Sequence, residues 1–144
     1  MSRLIKLDSG KRERDKILKS IVACINQLNE RKGSLNDNKD LIAYIILALE
    51  ELYKNINTSI EAWEKRDYWI KAERYKSEWQ WSEMYAKKLT EALTKEDWQS
   101  VSYLVGELSI KLSYIKISRY HRKDTPWDGA WKILNDRIKS MKIK

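Results

Sequence analysis

Four Gly and one Pro punctuate a chain of 144 residues, and this scarcity of breakers constrains the fold more than any other feature. Sandwiches and barrels turn the chain every few residues and draw on Gly and Pro to do so. Long unbroken stretches rich in Lys, Glu, Ile and Leu instead favour helices. Hydrophobic residues make up 42% and charged residues 35%, enough apolar material for one core inside a well-solvated surface. The length fits a single domain spanning residues 1–144.

Helical periodicity runs through the whole chain. Between about Lys11 and Lys32, Ile17, Ile21, Cys24, Ile25 and Leu28 fall on one stripe, with Asp8 or Ser9 placed to cap the start and Gly33 to end it. A second helix begins near Lys39 and is apolar almost all round through Leu49, as expected of an element surrounded by partners. Thr58-Ser59-Ile60-Glu61 has capping-box spacing, which predicts a break near Asn57. One continuous helix over about 39–92 is the alternative. A third helix runs to Leu93, and Thr94-Lys95-Glu96-Asp97 supplies the next cap. The helix from Lys95 to Tyr120 puts Trp98, Val101, Leu104, Val105, Leu108, Leu112 and Ile115 on one face, with Tyr103, Ile110, Tyr114 and Ile117 on the far side. His121 to Asp124 reads as a loop. Thr125-Pro126-Trp127-Asp128 combines an N-cap, a first-turn Pro and an acid, and so predicts a last helix. The expected fold is all-α, an up-and-down bundle of four to five helices.

The chain lacks familiar catalytic vocabulary. Neither phosphate-cradling Gly motif is present, nor a nucleophile elbow around a serine. One histidine, His121, allows no His-Glu-x-x-His zinc site, and it follows Arg119 by only two positions, closer than the Arg…His spacing of small helical nucleases. Cys24 sits on an apolar stripe, where a buried inert thiol is expected. No cofactor, metal or small-molecule substrate is implied, and an enzyme ranks third among the functional readings. Because Cys24 is the single cysteine, there is no internal disulfide, which suits a reducing compartment. The longest uncharged apolar run, Leu41 to Leu49, is too short to span a bilayer. A cytoplasmic protein without a membrane partner is expected.

Two features bear on what the protein meets. The block from Trp63 to Tyr85 is crowded with aromatics: Tyr68, Tyr75 and Trp79 share one face with Ala72 and Ala86, while Trp63, Ile70, Trp81 and Tyr85 share another. Both faces cannot pack on one neighbour, so Trp63, Ile70, Trp81 and Tyr85 are expected to form a partner surface, most simply in a homodimer. The second feature is charge. The net charge of +8 is concentrated at the ends, with nets of +5 over residues 1–32, −4 over 33–110 and +7 over 111–144. Lys11 and Arg12 near one end, and Arg119, Tyr120, His121, Arg122 and Lys123 near the other, place cations beside aromatics. That pattern offers an alternative role as an RNA- or DNA-binding module.

The aromatic and charged block beginning Trp63-Glu64-Lys65-Arg66-Asp67-Tyr68-Trp69-Ile70, together with Thr125-Pro126-Trp127-Asp128, resembles the small, uncharacterised all-helical families of thermophilic archaea. The resemblance implies a compact helical fold and carries no functional residues with it. The leading expectation is a non-enzymatic helical protein that works through association, chiefly with itself.

Overall fold

The computed structural model describes residues 2–31, 33–117 and 127–143, with side chains from Gly10 to Met141 within those stretches. Six α-helices are present among the described residues: α1 (Ser2–Glu30), α2 (Lys39–Lys65), α3 (Trp69–Trp79), α4 (Trp81–Thr94), α5 (Trp98–Lys111) and α6 (Ala130–Ile143). No strand accompanies them among the described residues, and the fold is an all-α bundle. Gln80 between α3 and α4 is itself helical in φ and ψ, and these two form one jointed rod. Five rods result.

α2 is the axle. Leu41, Ile42, Ala43, Ile45, Ile46, Leu49 and Leu52 are completely buried, because α1, α3, α4 and α6 all pack against this helix. Each such large aliphatic side chain contributes roughly 1.5–3 kcal/mol by leaving water. α1 lies antiparallel to α2, with Cys24 Sγ donating to the carbonyl of Leu41 and Arg14 reaching Asn55. α4 also runs antiparallel to α2, joined near one end by the Lys39–Glu96 ion pair. α5 folds back along α4, and α6 runs in the same direction as α2, from Asp40 at one end to Glu50 further along.

Several boundaries differ from the sequence reading. α1 runs through Asp8 and Ser9 rather than starting after them. One internal glycine, Gly10, costs the helix only about 1 kcal/mol. α2 passes Asn57 without a break. Thr58 is no cap: its hydroxyl donates to the carbonyl of Lys54 one turn back, the helix-interior habit of threonine. The chain turns instead at Arg66–Tyr68, where Asp67 takes a left-handed φ of 62° and the Tyr68 amide donates to the Trp63 carbonyl. The same device recurs after α4. Glu96 has φ 55°, and the Asp97 amide donates to the Ala92 carbonyl. Both are helix-ending loops of the kind usually built on glycine. Asp97 then caps α5, accepting from the Ser100 amide, so α5 begins at Trp98 rather than Lys95 and stops at Lys111. Gly33 does take the left-handed conformation expected of it, at φ 112°.

Candidate functional site

The aromatic block folds into a ladder. Trp63, at the end of α2, meets Tyr75 of α3 edge-on at 4.7 Å. Tyr75 is followed by Trp79 at 6.2 Å, Trp79 by Trp81 at 5.9 Å, and Trp81 by Tyr85 at 6.4 Å. The two faces anticipated from the spacing thus join into one row. The turn at Asp67 folds α3 back beside Trp63, and the joint at Gln80 brings Trp81 into line with Trp79. This corrects the expectation that Trp63, Ile70, Trp81 and Tyr85 share an outward surface. Tyr85 is 8% exposed and belongs to the core, and Trp63 and Trp81 are half-buried against it. Ile70 alone of the four is outside, 73% exposed, beside the exposed Tyr68 and Trp69.

Cations cover the outer edges of the ladder. Lys71 lies 4.7 Å from the Trp63 ring and Lys111 lies 5.1 Å from that of Trp81. Arg14 of α1 sits over two rings, 5.4 Å from Tyr75 and 5.7 Å from Trp79, a favourable position for a guanidinium above a π face. Its Nη1 donates to Asn55 Oδ1 at 3.1 Å, and Asn55 Nδ2 donates to the Gly10 carbonyl at 3.2 Å. Arg14 is therefore held from two sides. Burial pushes the Tyr75 hydroxyl above its ordinary pKa, with the Arg14 charge working the other way.

Beside Arg14 a cleft of about 380 Å³ opens between α1, Trp79 and the turn after α5. Lys11, Arg14 and Lys19 come from α1, and Tyr114 and Lys116 from the far wall; Asp15 is the single carboxylate among the lining residues. Lys11, expected at a nucleic-acid surface, is thus brought to this cleft. Arg12 is exposed elsewhere on α1 and does not line it. Arg119, Tyr120, His121, Arg122 and Lys123 lie outside the described residues, as do Thr125 and Pro126. The sequence reading missed Lys19, Trp79, Tyr114 and Lys116. Lys11, Asp15 and Lys19 do recur every four residues, which puts them on one face of α1, but nothing local indicates that residue 116 stands opposite.

A larger groove of about 780 Å³ runs over α2 between α4 and α6. Its charges neutralise one another: Glu50 pairs with Arg137 at 2.7 Å and Glu83 with Lys87 at 2.6 Å. Lys87 and the Tyr53 hydroxyl hold the Glu83 carboxyl below its ordinary pKa, the wrong direction for a general base working near neutrality. Among the described residues no group of three His, Cys, Asp or Glu side chains is arranged to hold a metal ion, and no helix is long and apolar enough to cross a membrane. Cys24 is fully buried.

The outer face of α5 is a third candidate. Tyr103 is 68% and Ile110 77% exposed. Gly106 lies between them on the same stripe, with open space where a Cβ would project. Comparison with models of known protein families, with curated proteins and with solved structures finds no match.

Proposed function

We propose that this protein works by association through the outer face of α5, with a second copy of itself as the simplest partner. The observation that carries this reading is the stripe Tyr103–Gly106–Ile110: two large apolar side chains flanking a glycine, all facing solvent on a helix whose other face is core. An exposed helix-interior glycine costs about 1 kcal/mol against alanine, a cost that close approach of another backbone would offset. The two charges of this helix turn aside to α4, Lys111 onto the Trp81 ring and Glu107 onto the Tyr85 hydroxyl. The stripe beside them is cheap to dehydrate, and charge-poor, tyrosine-bearing surfaces are typical of interface cores.

The stripe is also its own complement. Two antiparallel copies of α5 crossing at Gly106 would set each Tyr103 against Ile110 of the second copy, an isologous contact about a two-fold axis. A single helix crossing is small, so the dimer should be weak and concentration-dependent. Sedimentation equilibrium across a micromolar concentration series tests it. The wild-type mass should rise toward that of a dimer, and Ile110→Glu should stay monomeric with an unchanged far-UV circular dichroism spectrum. Ile70→Glu, at another exposed apolar group, should leave the association intact. A wild-type protein that remains monomeric throughout, or an association broken by Ile70→Glu and not by Ile110→Glu, would sink the proposal.

A further inference from the structure

The cleft beside Arg14 concentrates charge as no other described cavity does. Four cations (Lys11, Arg14, Lys19, Lys116) face one carboxylate, Asp15. Among the described residues, Lys11, Lys19 and Lys116 take part in no ion pair, whereas the lysines and arginine of the larger groove include Lys87 and Arg137, both paired. The walls add two aromatic rings, the half-buried Trp79 and Tyr114, which is 66% exposed. Unneutralised cations next to an exposed ring define a ligand that is anionic at one part and flat and aromatic at another. A phosphate joined to a nucleobase has that chemistry.

We propose that the cleft formed by Lys11, Arg14, Lys19, Trp79, Tyr114 and Lys116 binds nucleotide units, with phosphates held by the lysines and a base stacked on Tyr114. Spacing favours a strand over a lone nucleotide. Lys11 and Lys19 are eight residues apart on α1, about 12 Å along the axis at ~1.5 Å per residue, a span that lets each lysine meet its own phosphate along a strand. Single-stranded nucleic acid presents successive phosphates and leaves its bases free to stack, whereas a duplex hides those faces. Arg14 has a positioning role here. Its guanidinium is spread over Tyr75 and Trp79 and tied to Asn55, which fixes the Trp79 wall and leaves the lysines to meet phosphate. The proposal is independent of association through α5.

The test is fluorescence anisotropy with a labelled oligothymidylate and an oligouridylate, titrated with full-length protein over a salt series. Competition with AMP, ATP and inorganic tripolyphosphate separates a strand from a free nucleotide and both from a bare anion. The expected result is tight binding at low salt that weakens as salt rises, with log K falling against log salt at a slope of about −2 for three phosphates on a single strand. Lys19→Glu combined with Lys116→Glu should weaken binding by at least about tenfold and flatten that slope, since two of the three contacts are reversed. Tyr114→Ala should weaken the oligonucleotide about tenfold while leaving the slope and tripolyphosphate competition unchanged. All three residues are exposed, and circular dichroism confirms that the variants stay folded. Ile110→Glu should bind like the wild type, which keeps this outcome separate from that of the dimer. Absence of binding at low salt, or binding indifferent to the double reversal, overturns the site. ATP binding without oligonucleotide binding overturns the strand in favour of a free nucleotide. Tripolyphosphate competing as well as the oligonucleotide, with Tyr114→Ala inert, overturns stacking and leaves only an anion patch.

Discussion

Asp67 shows how much one residue's backbone decides here. It ends α2 in a left-handed conformation, φ 62°, which costs a non-glycine residue roughly 1 kcal/mol or somewhat more. The turn survives because the amides of Asp67 and Tyr68 are satisfied by carbonyls of the last helical turn, and because Trp63 and Tyr75 pack across it. Asp67→Gly should therefore stabilise the protein by about 0.5–1 kcal/mol, read as a higher urea midpoint at unchanged m. A lower midpoint would show that the Asp67 side chain contributes something its exposure does not suggest. No sequence rule places the break at this residue. Aspartate tolerates the left-handed region without requiring it, whereas Thr58 and Glu61 carry the spacing of a capping box that α2 does not use.

At the scale of elements, caps supplied from a distance matter as much as local ones. Trp127 to Gly129 form a turn, Gly129 adopts φ 83°, and α6 starts at Ala130. Its first amides are satisfied by Asp40 of α2: Oδ1 accepts from Trp131 at 2.9 Å and Oδ2 from Gly129 at 3.3 Å. A carboxylate at a helix N-terminus satisfies orphan amides and complements the helix dipole. Asp40→Ala should cost about 1–2 kcal/mol in chemical unfolding, and Asp40→Asn should recover part of that loss by keeping an acceptor while discarding the charge. Equal losses in the two variants would mean that the charge, rather than the hydrogen bonds, does the stabilising. The presence of a last helix was legible in the sequence. The group that caps it was not, because Asp40 and Trp131 are 91 residues apart.

For the whole molecule, the depth of the core couples stability to pH through Cys24. Its side chain is fully buried, its Sγ donates to the Leu41 carbonyl at 3.1 Å, and burial pushes the thiol far above its ordinary range. The folded state keeps a proton that the unfolded chain gives up above its own pKa. The contribution is thus complete below about pH 8.5 and declines above it, by up to about 1.4 kcal/mol per pH unit. Tyr75 and Tyr85, both raised chiefly by burial, act in the same direction from about pH 10. Urea unfolding at several alkaline pH values should show stability falling, and Cys24→Ala should shallow the fall even though it lowers stability overall. An identical slope in the variant would separate Cys24 from the effect.

Helical class, a count of four to five rods and the central place of α2 were legible in the chain itself. Each rests on a local quantity: breaker scarcity, a 3.6-residue apolar rhythm, or a helix apolar on every side. The far-side stripe of α5 was legible for the same reason, since Tyr103 and Ile110 share one helical face however that helix is docked. What the periodicity of Trp63 to Tyr85 could not supply was which aromatics turn inward. That depended on a left-handed Asp67 and a joint at Gln80, either of which rotates every later residue about the helix axis. Nor could it bring Lys116 to face Lys11 and Lys19, because their proximity arises from α1 and the end of α5 packing on the same core. Periodicity is set by covalent geometry and neighbouring side chains, so one strand of sequence determines it. The cleft, the trans cap and the ladder are meetings of residues distant in the chain, and only the packing of whole helices around α2 decided them.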